Sequence, residues 1–159
     1  MFFTFRKIVA DQEKILTTLE KLAAEGRVQR PPNFPLATVQ GLKNMEEMDN
    51  EAFHDLVVFY RQLGGFTLKE MVTSCLKESI AEELASHVTW LGKKEGKEAL
   101  NSSKITFAIY EAAKMNRYFN LPSRSEFKSV MIAALRAAQE RARARRGRSN
   151  VSVRNIWDE

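Results

Sequence analysis

One cysteine, two histidines, four prolines and seven glycines are few for 159 residues, and each shortage removes a class of protein. A lone Cys75 permits no internal disulfide and no cysteine-based zinc site. His54 and His87 are too few for most histidine-rich metal centres, so neither a metal nor a cofactor is expected. Sparse glycine and proline leave little turn punctuation for an all-β fold. No apolar run nears the ~18–20 residues needed to cross a bilayer. The opening Met1-Phe2-Phe3-Thr4-Phe5-Arg6-Lys7 is apolar too briefly for a secretory signal. A soluble protein of a reducing compartment is the expectation. With 44% hydrophobic and 28% charged residues, the chain has the make-up of one folded domain rather than a disordered one.

Charge is unevenly spread. Residues 1–99 hold 13 Lys/Arg against 15 Asp/Glu, whereas residues 100–159 hold 12 against 5. The basic surplus is densest in residues 136–148, where Arg136, Arg141, Arg143, Arg145, Arg146 and Arg148 face the single acid Glu140. Such a local surplus attracts polyanions.

Apolar residues recur at helical spacing. Over residues 5–25, Phe5, Ile8, Val9, Ile15, Leu16, Leu19 and Leu22 fall three and four apart, predicting an amphipathic N-terminal helix. Ile8, Ile15 and Leu22 are seven apart, the spacing of a coiled-coil seam, over fewer than three heptads. That helix serves either as an oligomerisation element or as a surface helix packed on its own domain. Pro31, Pro32 and Pro35 break the pattern, predicting an extended linker over residues 27–37, with the globular part starting near Asn33. Asn50 is expected to cap a helix carrying Phe53, Leu56, Val57, Tyr60 and Leu63, closed by Gly64-Gly65. Three spacings read as capping boxes: Thr67-x-x-Glu70, Ser79-x-x-Glu82 and Ser123-x-x-Glu126. Ser102 or Ser103 opens a helix with Ile105, Ala108, Ile109 and Ala112. The last helix presents Phe127, Val130, Met131, Ala134, Leu135 and Ala138 as one apolar stripe. No segment alternates with period two, so the expected class is all-α, without a sheet. Leu56, Leu68, Val72, Leu76, Leu84, Ile105, Ile109, Val130 and Leu135 are expected in one core.

Catalytic chemistry is hard to find. Gly92-Lys93-Lys94-Glu95-Gly96-Lys97-Glu98 has three residues between its glycines, where a phosphate-binding loop has four. Glu98 stands where that loop needs Ser or Thr for Mg²⁺, so the segment reads either as a solvated turn between two helices or as a loop whose Lys93, Lys94 and Lys97 touch a phosphate backbone. Cys75 sits at an inward helical position, where a lone cysteine packs as a small hydrophobe. Glu46-Glu47 and Glu82-Glu83 are adjacent pairs whose members diverge on a helix, which suits solvation better than acid–base work. No enzyme is expected.

The arginine run carries the chemical potential. On a helix Arg141, Arg145 and Arg148 form one ridge flanked by Arg143 and Arg146. The planar guanidinium donates two parallel hydrogen bonds to a phosphate and stays charged at physiological pH. Short basic runs also serve as nuclear import signals. The bland alternative is a solvated helix end whose arginines complement the macrodipole. An anionic membrane is disfavoured, because the helix has little apolar surface beyond what its core uses.

Between residues 34 and 141 the sequence shows Phe34-Pro35-Leu36, Leu63-Gly64-Gly65, Leu84-Ala85, Trp90-x-Gly92-x-Lys94-x-Gly96-Lys97, Leu100 and the helix from Glu126 to Arg141. This pattern resembles an uncharacterised C-terminal domain family, a domain of unknown function common in fish, insect and cnidarian proteins. More distantly, Glu83-Leu84-Ala85, the glycine-bearing loop, Ala99-Leu100 and the helix from Lys104 onward are similar to the BEN domain, with Ala134 where BEN domains usually carry tryptophan. That resemblance implies an all-α chromatin-associated module whose C-terminal helix and neighbouring loops contact DNA. The expected organisation is an N-terminal helix over 1–26, a linker over 27–37, a helical BEN-like domain over 38–146 and a basic, polar tail over 147–159. The expected function is non-enzymatic, nuclear nucleic-acid binding, with DNA ahead of RNA. An interaction or oligomerisation module, whose basic run serves only import or solubility, is the alternative.

Overall fold

The computed structural model describes residues 2–25 and 28–157, with side chains for residues 4, 6–19 and 28–148. Its helices are α1 (Phe2–Glu25), α2 (Val39–Met45), α3 (Asn50–Leu63), α4 (Leu68–Ser79), α5 (Glu82–Ala85), α6 (Lys104–Lys114) and α7 (Arg124–Trp157). The all-α class holds, with one correction to the expected absence of a sheet. Two-residue strands β1 (Val88–Thr89) and β2 (Glu98–Ala99) pair in parallel. At two residues each, they are too short to leave any period in the sequence.

Side-chain caps explain where most helices begin. Thr38 Oγ1, Thr67 Oγ1, Ser103 Oγ and Ser123 Oγ each accept from a backbone amide three residues on. Glu70 reaches back to the amide of Phe66, one residue before the cap, completing a variant of the capping box. Two expected caps are corrected. Asp49, not Asn50, caps α3, accepting from the amide of Ala52 at 2.8 Å. Ser79 caps nothing: it is the last residue of α4, fully buried, and α5 starts after Ala81 without a side-chain cap.

Ser79 is instead part of a polar knot inside the core. Its hydroxyl donates to the carbonyl of Cys75 and hydrogen-bonds the phenol of Tyr60. A buried Tyr hydroxyl needs such a partner, since leaving it unmade costs about 1–3 kcal/mol. Burial pushes the Tyr60 phenol far above its ordinary range and the Cys75 thiol up to about 12, with the Glu78 charge adding to the latter. Cys75 is therefore a neutral core residue at physiological pH.

α3 packs on α6, while α4 and α5 pack on α7. Leu56, Val72, Leu76, Leu84, Ile105, Ile109 and Leu135 are buried in one cluster, and Leu68 and Val130 are half-buried against it, matching the expected core. The stripe on α7 runs one turn beyond Ala138, to a buried Ala142.

The structure adds detail at both ends of the helical domain. Within the proline-rich stretch Phe34 and Leu36 lie in the core, beyond the Asn33 at which the globular part is expected to start. Leu36 donates to the Ser79 carbonyl and accepts from the Ala81 amide, forming a parallel bridge with Ile80. At the other end, the backbone of α7 stays helical through Gly147 to Trp157.

Candidate nucleic-acid interface

α7 is a single helix of 34 residues, about 50 Å long at 1.5 Å per residue. Its first half is embedded in the core; from Arg143 to Arg148 every residue is exposed. The arginine run thus lies where the helix leaves the body of the domain.

The six arginines divide into two groups. Arg141 Nε donates to Glu82 Oε1 at 3.3 Å, and Arg145 Nε lies 2.9 Å from Glu82 Oε2 without hydrogen-bond alignment. One carboxylate at the start of α5 is thereby held between two guanidiniums one turn apart on α7. Gln139 Nε2 reinforces this junction by donating to the carbonyls of Ala85 and Val88. Arg136, Arg143, Arg146 and Arg148 are exposed, with no ion pair among the described residues. Arg141, Arg145 and Arg148 lie at i, i+4 and i+7 on the helical α7; Arg141 and Arg145 also meet Glu82, Arg145 with 72% of its side chain exposed, while Arg136, Arg143, Arg146 and Arg148 are the exposed arginines without an ion pair among the described residues. No sequence signal links Glu82 to residues some sixty positions later.

The glycine-bearing loop joins β1 to β2 and is closed on itself. The Gly92 amide donates to Thr89 Oγ1 at 2.8 Å, and the Lys97 amide donates to the Lys94 carbonyl at 3.1 Å. Lys97 Nζ hydrogen-bonds the carbonyl of Ser86, so this half-buried lysine is a strut rather than an outward cation. Lys93 and Lys94 are exposed. The glycines that carry the family resemblance have structural roles. Gly64 has φ +58° at the end of α3, and a Cβ on Gly65 would stand 2.6 Å from the backbone nitrogen of Met71.

On α1, Ile8, Ile15, Leu16 and Leu19 are exposed, Ile8 at 52% and Ile15 at 59%. Leu22 lies on the same helix, but its side chain is outside the described residues. No helix is long and apolar enough to cross a membrane, and no group of three His, Cys, Asp or Glu is placed to hold a metal, among the described residues. The chain matches no family model, no curated protein and no solved structure.

Proposed function

We propose that this chain is a non-enzymatic, BEN-like nucleic-acid-binding adaptor of the nucleus, with DNA its preferred partner ahead of RNA. The observation that carries the reading is the outward group Arg136, Arg143, Arg146 and Arg148 on a helix that the core and Glu82 hold in place. Cations on a braced support lose less conformational freedom on meeting phosphates than cations on a loose tail. Lys93 and Lys94 add charge from the β1–β2 loop. Phosphate contacts of this kind position a protein on DNA without reading its bases.

The test replaces Arg143, Arg146 and Arg148 together with Gln, leaving Arg141 and Arg145 on Glu82. Gln has a helix propensity close to that of Arg, so the melting temperature should be unchanged. Affinity for duplex DNA should fall at least about tenfold at low salt, and the log–log salt slope should shrink by about three units. Equal binding by the variant, or none by the parent chain at low salt, would overturn the proposal.

A second reading, an oligomerisation module, is favoured by the exposed apolar residues of α1. Deleting residues 1–26 would then convert an oligomer to a monomer while the core stays folded. An unchanged oligomeric state in sedimentation before and after deletion would remove this reading.

A further inference from the structure

Between α6 and the first turns of α7 lies a groove of about 450 Å³, within the ~300–1,000 Å³ range of small-molecule sites. Aromatic rings dominate it: Trp90 after β1, Phe107 and Tyr110 on α6, and Phe127 on α7. Tyr110 and Phe127 touch with centroids 4.9 Å apart, while Phe107 is 52% exposed. Lys114, Arg124 and Lys128 stand around these rings. Lys114 is paired to Glu111 at 2.8 Å, whereas Arg124 and Lys128 make no ion pair among the described residues. An exposed phenylalanine beside two such cations suits a ligand that is both flat and anionic.

Lys128, which lines the groove, shares a face of α7 with three of the arginines. At about 100° per residue, Lys128, Arg136, Arg143 and Arg146 fall within roughly 80° of the α7 circumference. They span about 27 Å, which a strand stacked at ~3.4 Å per nucleotide covers in about eight nucleotides. We infer that α7 tracks a single-stranded DNA segment, with one unstacked base laid against Phe107 in this groove. The inference rests on the nucleic-acid reading above and narrows it. A duplex offers the edges of its bases, not their faces, so an aromatic groove gains from a single strand what it cannot gain from a closed helix. The chain's own exposed apolar helix is a poorer occupant. α1 carries Arg6, Lys7, Lys14 and Lys21 against Asp11, Glu13, Glu20 and Glu25, and so offers no negative surplus to the cations.

The experiment titrates the full chain, its Phe107→Ala variant and a Phe66→Ala control with a labelled oligothymidylate of about fifteen nucleotides and with a duplex of equal length. Phe66 is equally an exposed aromatic, outside the groove. Phe107→Ala should weaken single-strand binding about tenfold to hundredfold, leave duplex affinity and salt slopes in place, and differ from Phe66→Ala. If Phe107→Ala binds the single strand as the parent does while the arginine variant still loses duplex binding, the groove is not a base site and the adaptor reading stands alone. If the parent binds neither probe at low salt, both fall. A peptide of alternating Glu and Phe that binds more tightly than the oligonucleotide, and in a Phe107-dependent way, would assign the groove to a protein and overturn the inference.

Discussion

Leu135→Ala should lower the unfolding free energy by about 2–5 kcal/mol, the range for emptying a buried leucine site. Leu135 lies on α7 with only 3% of its surface exposed, inside the cluster that joins α7 to the rest of the core. Alanine preserves the helix propensity of the position, so the loss comes from packing. Against a typical total of ~5–15 kcal/mol, such a loss is a large share of the stability. Urea unfolding should show the midpoint falling with the m-value retained, the sign of a stability change without a change in exposed surface. A shift below about 1 kcal/mol would mean that α7 is not seated on the core as described.

Gly92→Ala and Gly96→Ala should separate backbone strain from crowding in one short loop. Both glycines are in the left-handed region, at φ +67° and +74°, so each alanine carries a similar conformational cost of about 1 kcal/mol. Their surroundings differ. A Cβ on Gly92 would stand 2.8 Å from the Cβ of Ala99 and 2.9 Å from its backbone nitrogen, whereas one on Gly96 meets nothing within 4 Å. Relieving the first clash means moving β2, with a further cost of about 1–3 kcal/mol for overpacking. Thermal melts should therefore rank Gly92→Ala well below Gly96→Ala. Equal melting temperatures would show that β2 yields freely and that the Trp90–Gly92 turn is not pinned to it.

Helices α3, α4, α6 and α7 were legible because local signals agreed: a capping side chain, then apolar residues at spacing three and four. The cap of α3 was misplaced by one residue because Asp49 and Asn50 are adjacent and both cap-forming, and the structure gives the role to Asp49. Ser79 misled because its spacing to Glu82 is that of a box, yet a non-local partner, Tyr60, takes its hydroxyl into the core. Phe34 and Leu36 fell inside the expected globular part, but what they pack on was hidden for the same reason: prolines report chain direction, not what a neighbouring side chain packs on. Of the candidate interface, the arginine cluster was visible as composition. Which arginines meet Glu82 was not, because Glu82 is brought to Arg141 and Arg145 only by the packing of α5 on α7.

The main-chain bridge of Leu36 with Ile80 has a topological consequence. By those two hydrogen bonds α2, α3 and α4 become a closed loop, with the extended segment as its clasp. Arg30 secures the clasp from outside, donating to the Phe34 carbonyl at 2.8 Å and lying 3.4 Å from Glu78. A fragment cut at 38 would uncover Ile80 and remove the main-chain partner of Ser79 and Ala81. A protease acting before Val28 would part an exposed apolar helix from a sealed body that keeps its arginines. A single cut there separates whatever α1 contacts from whatever the arginines contact.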